Sequence, residues 1–149
     1  MTTARGAGGS AGNRRFAWVV GVLTVAFVLR VTGQVVQRWA PVSFLPAFDD
    51  WQGSGLPYPV LLAFQVAIVV LAVAVTLRMA RGSRLIGNRW IAPVLLAGIV
   101  YFTVMFARLI LGFTAFSDTT WFDRPIPSAF HLVLATQLML IAAYQHHRD

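Results

Sequence analysis

Four long apolar runs, separated by short polar segments, make up most of the chain. They cover residues 16–36, 57–77, 90–112 and 127–144. A helix needs about 20 residues to cross a hydrocarbon core of about 30 Å, and each run is close to that length. None of the runs alternates polar with apolar residues as barrel strands do, and lipid admits only helices and closed barrels. The pattern therefore predicts an all-α fold, an integral membrane four-helix bundle formed by residues 16–149.

The N-terminal segment, residues 1–15, is rich in small residues and has no hydrophobic periodicity. It is predicted to be a disordered cytoplasmic tail. Arg14 and Arg15 precede the first run as in a signal peptide, but no small-residue cleavage site follows. We therefore expect an uncleaved transmembrane helix.

The composition excludes several classes of protein. Hydrophobic residues make up 58% of the chain and charged residues 11%, whereas soluble domains have about 25% charged residues. The net charge of +7 comes entirely from Arg. Since most of these Arg residues flank the apolar runs, topology explains them and no nucleic-acid partner is predicted. The absence of Cys excludes disulfides, thiol catalysis and Cys-based metal sites.

The distribution of charge predicts the orientation. Eight of the 12 Arg residues lie in the N-terminal tail, the 78–89 region and the C-terminus. The other two loops contain Arg38 and Arg124 together with four of the five Asp residues. The positive-inside rule then places both termini in the cytoplasm and those two loops outside, for a protein of the bacterial inner membrane.

The two halves of the chain are similar. Each has one Arg late in its first helix, Arg30 and Arg108, then a loop with Phe, Asp and Trp, then a Pro-x-Pro entry into its second helix. Proline suits the first turn of a helix, where its missing N–H would have no partner. The order of features predicts a tandem repeat of a transmembrane hairpin, related by an axis along the membrane normal. The alternative is that two hydrophobic hairpins resemble each other by composition alone.

Polar residues within the spans are the candidate functional residues. Arg at the centre of a span costs about 2.5–3.5 kcal/mol on insertion scales. Arg30 and Arg108 either extend to headgroups and clamp the acidic loops, or bind an anionic or carbonyl-bearing ligand such as a lipid headgroup or quinone. The candidate ligand site comprises Arg30, Arg108, His131, Asp50 and Asp123.

A second set of residues is predicted to form a polar interior. Arg30, Gln34 and Gln37 follow one helical stripe, which is predicted to face the bundle or a partner helix. The interior polar candidates are Gln34, Gln65, Gln137 and Tyr101. Such residues either join helices by hydrogen bonds or line a pore. No metal site is predicted, and His131 is either a structural residue or a proton carrier.

Several features together resemble the small four-span bacterial membrane proteins of the DoxX/MauE type. They are the late Arg30, a loop leading into GLPYPVLLAFQ and a basic middle loop, all within residues 16–78. That family often has an acidic residue in its second helix, where this chain has Gln65. The resemblance implies a redox-accessory role.

The chain contains no set of residues typical of catalysis, so it is expected not to be an enzyme. The leading hypothesis is a non-enzymatic accessory or scaffold subunit that associates with a membrane-protein partner or a second copy of itself. The alternative is a lipid- or quinone-binding redox helper with its site near the outer leaflet. The third is a small-solute transporter that uses Gln34, Gln65 and Gln137. No resident cofactor is predicted, although a bound quinone or lipid fits the second hypothesis.

Overall fold

The computed structural model describes residues 5–114 and 124–148, and all its regular elements are helices. Helix α1 is Arg5–Trp39, α2 is Tyr58–Ala80, α3 is Asn88–Thr114 and α4 is Pro125–His146. A short 3-10 helix, Phe48–Trp51, lies in the loop between α1 and α2. The described residues contain no strand. The predicted all-α four-helix architecture is therefore confirmed.

All four helices are long and apolar enough to span a membrane, and their bounds lie within about three residues of the predicted ones. The membrane-spanning part of α1 is Arg14–Trp39. Helix α1 itself begins at Arg5, within the segment predicted to be a disordered tail. Many large apolar side chains of α1, α2 and α3 are exposed, as expected of helix faces in contact with lipid. The chain is a multi-pass membrane protein.

Proline and glycine determine where the helices begin and end. Pro59 lies in the first turn of α2, and Pro125 begins α4. Helix α2 ends where Gly82 adopts a positive φ of 67°. There the N–H of Gly82 donates to Met79 O and that of Ser83 donates to Arg78 O. These two bonds form a Schellman motif, which satisfies carbonyls at the helix end.

The helices pack in the order α2, α1, α4, α3. Helix α1 contacts both α2 and α4, whereas α3 packs against α4 alone. A Cβ on Gly98 of α3 would lie 2.8 Å from the Met139 side chain of α4, so this pair approaches closely. On α4 the small residues Ser128, Ala135 and Ala142 recur every seventh position and are buried. Small residues at such positions let helix backbones approach each other in lipid.

This helix order bears on the predicted repeat. A two-fold relation between the hairpins would require α2 to contact α3 in the way that α1 contacts α4. Within the described ranges, α1 contacts α4 but α2 and α3 share no contact. The structure thus shows two packed hairpins, and their origin by duplication stays a prediction.

Candidate functional site

Residues 40–57, the distal loop, fold over one end of the bundle, which we call the distal end. The start of α1, the end of α4 and residues 81–87 lie at the opposite, proximal end. Gln37 organises the distal loop. Its Nε2 donates to Leu45 O and Pro46 O at 3.0 and 2.6 Å, and its Oε1 accepts from Val42 N at 2.8 Å. Both polar atoms of this buried amide therefore hold the loop against the end of α1, through three hydrogen bonds.

Trp51 is the buried centre of the distal loop. Its Nε1 donates to Pro46 O at 3.0 Å. Its ring lies against Gly33, where an added Cβ would be 3.0 Å from Trp51 Cη2. The missing side chain at Gly33 thus makes room for the indole, and this placement puts the Trp51 carbonyl within reach of Arg30.

Arg30 is only 7% exposed and its partners are neutral. Its Nη1 donates to Gln34 Oε1 and its Nη2 to Trp51 O, both at 2.8 Å. Its Cζ also lies 5.9 Å from the centre of the Phe130 ring, a cation–π distance. No carboxylate in the described part of the chain pairs with this guanidinium. Asp50 is exposed, so the structure joins Arg30 to the loop through a backbone carbonyl and not through Asp50.

The hydrogen bonds around Arg30 determine the orientation of two amides. Arginine has only donors, so Gln34 must present Oε1 to it. The same Gln34 Oε1 lies 3.0 Å from Gln65 Nε2, so Gln65 must donate to it. Three buried atoms of this network then have no partner among the described residues: Arg30 Nε, Gln34 Nε2 and Gln65 Oε1. Each unpaired buried polar group costs about 1–3 kcal/mol.

A cavity of about 270 Å³, which we call the distal cavity, lies beside this network, between α1, α2 and α4 and next to residues 53–56. Its polar lining residues are Arg30, Gln65, His131 and Ser54. Most of the remaining wall is apolar, including Phe27, Phe64, Ile68, Phe130 and Leu134. From the helical rise, Arg30, Gln65 and His131 lie about 13, 10 and 9 Å from the distal ends of their helices. The three side chains therefore meet at a similar depth inside the bundle.

His131 is held by Tyr101 of the neighbouring helix. The Tyr101 hydroxyl lies 2.5 Å from His131 Nδ1, and the ring centres are 5.8 Å apart. The sequence marked each residue separately, and the structure brings them together. This bond joins α3 to α4 and orients the imidazole. His131 also lines the cavity.

Arg108 and Arg124 come from the second hairpin and reach the distal loop of the first. Arg108 is buried, and its Nη2 would lie 3.8 Å from a Cβ on Gly53. Arg124 Nη1 donates to Gln52 O at 2.9 Å. Arg108 is not among the described residues that line the cavity. The remaining predicted site residue, Asp123, lies outside the described residues.

Gln137 belongs to a different network. Its Nε2 donates to Thr24 Oγ1 at 3.1 Å, and Thr24 Oγ1 also lies 3.2 Å from Thr76 Oγ1. The structure therefore brings Gln34 and Gln65 together but leaves Gln137 apart from them. Sequence analysis missed both threonines. A signal existed, because Thr24 belongs to a series of buried positions in α1, three or four residues apart, that also includes Gln34.

The cavity thus offers a cationic donor, an amide acceptor and an imidazole within a mostly apolar wall. Such groups can donate to an anionic or carbonyl oxygen and accept from a hydroxyl group. Within residues 5–114 and 124–148, no group of three potential metal ligands lies together. No protein-family model, curated protein or solved structure matches this chain.

Proposed function

We propose that this protein binds the polar group of an amphiphilic ligand, a lipid headgroup or a quinone, in the distal cavity. The observation that supports this most strongly is the state of Arg30. Its charge is buried, its Nε has no partner, and the described chain supplies no carboxylate to it. An anionic or carbonyl oxygen at Nε would offset part of the cost of keeping a guanidinium at this depth.

The size and lining of the cavity favour the polar part of a membrane-soluble molecule. Its volume of about 270 Å³ is slightly below the usual range for small-molecule pockets, roughly 300–1,000 Å³. It is about nine times the 30 Å³ that one water occupies in the liquid. A headgroup or a single ring therefore fits, while the rest of the ligand would extend among apolar side chains towards lipid.

The wider role we propose is that of a non-enzymatic accessory subunit, a redox helper if the bound molecule is a quinone. The DoxX/MauE-type resemblance of residues 16–78 supports this role. The described chain outside the helices consists mainly of residues 40–57 and 81–87, which leaves little protein to act on a soluble substrate. The partner would be another membrane protein or a second copy. Transport is less well supported, because Gln137 does not join Gln34 and Gln65.

We further propose that the protein resides in a bacterial inner membrane with its distal end outside. Four Arg residues lie at or near the proximal loop: Arg78, Arg81, Arg84 and Arg89. The exposed Asp49 and Asp50 lie at the distal end. By the positive-inside rule, the proximal end is cytoplasmic and the cavity lies towards the outer leaflet.

The proposal is tested by ligand-dependent stabilisation. Delipidated protein is heated in detergent with decylubiquinone or dioctanoyl phosphatidylglycerol. At a free concentration of one hundred times Kd, a ligand that binds only the folded state stabilises it by about 2.7 kcal/mol. We expect this for the unmodified chain and for Arg38→Met, but not for Arg30→Met. Failure of both ligand classes to stabilise the unmodified chain, or equal stabilisation of Arg30→Met, would contradict the proposal.

A further inference from the structure

Two residues that line the distal cavity each have a buried atom with no partner among the described residues, the donor Nε of Arg30 and the acceptor Oε1 of Gln65, and the acceptor restricts the ligand. We infer that the molecule bound here has a hydroxyl group in addition to its anionic or carbonyl oxygen, and that Gln65 Oε1 accepts a hydrogen bond from that hydroxyl. This inference rests on the proposed function, because it concerns the same cavity. It adds the requirement of a hydroxyl group, and only some lipid headgroups and quinone-type molecules have one.

The acceptor is fixed by the chain itself. Arg30 can only donate, which makes Gln34 present its oxygen, which in turn makes Gln65 present its Nε2. Rotating the Gln65 amide would place two oxygens 3.0 Å apart with no hydrogen between them. Gln65 Oε1 must therefore face away from Gln34.

Gln65 is 5% exposed and lines the cavity, and no donor among the described residues reaches its Oε1. A carbonyl oxygen cannot satisfy it, nor can a fully ionised phosphate, since neither has a hydrogen to donate. A hydroxyl group can. Arg30 lines the same cavity, and its Nε, which has no partner among the described residues, is the donor for the ligand's other oxygen. The two unpaired atoms together match a ligand that both accepts and donates.

Two kinds of membrane molecule have this chemistry. A hydroquinone has phenolic hydroxyls on an apolar ring. A phosphatidylglycerol-type headgroup has glycerol hydroxyls next to a phosphate anion. Both place a hydroxyl donor and an oxygen acceptor within one small polar group, and both have an apolar remainder that suits the wall formed by Phe27, Phe64 and Phe130.

Calorimetric titration in detergent with two matched pairs of probes tests the inference. One pair is decylubiquinol and decylubiquinone; the other is dioctanoyl phosphatidylglycerol and dioctanoyl phosphatidylpropanol, which lacks the hydroxyls. Because the chain has no Cys, the reductant that keeps the quinol reduced leaves the protein unaltered. In the pair that binds, we expect the hydroxyl-bearing member to bind about tenfold more tightly, the factor that corresponds to one buried acceptor left without a donor.

Two variants locate the effect. Gln65→Met removes the acceptor and should abolish the tenfold preference, while Gln34 Oε1 keeps its bond from Arg30. Gln137→Met makes the same change at another buried glutamine of the spans, one that does not line the cavity, and should retain the preference.

The outcomes separate the inference from the proposed function. Equal binding of both members of a pair to the unmodified chain overturns the inference and leaves the proposed function standing. A preference that persists in Gln65→Met also overturns the inference, since the hydroxyl is then recognised elsewhere. If neither pair binds, both the inference and the proposed function are wrong. The pair that binds identifies the source of the hydroxyl.

Discussion

The side chain of Arg30 joins α1 to the distal loop, and the substitution Arg30→Met measures how strongly. The variant loses two hydrogen bonds from a charged donor, to Gln34 Oε1 and Trp51 O. Such bonds contribute about 1.5–3 kcal/mol each. The variant also removes a buried charge that costs about 2.5–3.5 kcal/mol at membrane depth. The second term offsets part of the first, so we expect the free energy of unfolding to fall by about 1.5 kcal/mol.

The assay is reversible unfolding of ligand-free protein in mixed micelles of dodecyl maltoside and sodium dodecyl sulphate, followed by Trp fluorescence. The control is Arg38→Met, the same change on the same helix at an exposed site. Arg38 lies 5.7 Å from the Phe48 ring centre, a contact that contributes about 0.5 kcal/mol at the surface. The control should therefore lose about that much.

Two results would refute this reasoning. If Arg30→Met is as stable as the unmodified chain or more so, the two bonds contribute no more than the buried charge costs. If it loses more than about 4 kcal/mol, the buried charge costs little. The need for an anionic or carbonyl oxygen at Arg30 Nε would then disappear, and with it the main support for the ligand site.

Three further predictions follow from other parts of the structure. Gly98→Val should lower the free energy of unfolding by about 2 kcal/mol in the same assay, because a Cβ there would lie 2.8 Å from a side chain of α4; unchanged stability would contradict the close α3–α4 contact. Tyr101→Phe removes the hydroxyl bonded to His131 and should cost about 1 kcal/mol; a gain in stability would show that this bond is unfavourable. In a chain without native Cys, a membrane-impermeant maleimide should label Gly55→Cys in intact cells but Gly87→Cys only after permeabilisation, and the reverse pattern would invert the orientation.

The helices were predictable because the signals for them are local. Apolar runs of membrane length set their number, and Pro59 and Pro125 mark where two of them begin. The start of α1 at Arg5 was not predictable, since a segment rich in small residues gives no helix-start signal. The order of helices was not predictable either. Lipid-facing and helix-facing residues are similarly apolar, so hydrophobicity does not tell which helix packs on which.

The candidate site was only partly predictable. Charge and polarity within the spans pointed to Arg30, Gln65 and His131, and the structure places all three on one cavity. One of the alternatives for Arg30 was a pairing with an acidic loop residue such as Asp50, and the structure gives it the Trp51 carbonyl instead. Every residue has a backbone carbonyl, so the sequence does not show which one a side chain will contact. An exposed carboxylate also keeps its hydration, which an ion pair with a buried Arg would sacrifice.

Native mass spectrometry of the protein purified in mild detergent from its own host tests the central claim most directly. The unmodified chain and Gln137→Met should each retain one additional small molecule per chain, with the mass of a hydroquinone-type or phosphatidylglycerol-type lipid. Arg30→Met and Gln65→Met should lose it under the same activation energy. A bare chain mass for the unmodified protein, or the same adduct on all four forms, would contradict the claim that Arg30 and Gln65 hold a ligand in the distal cavity.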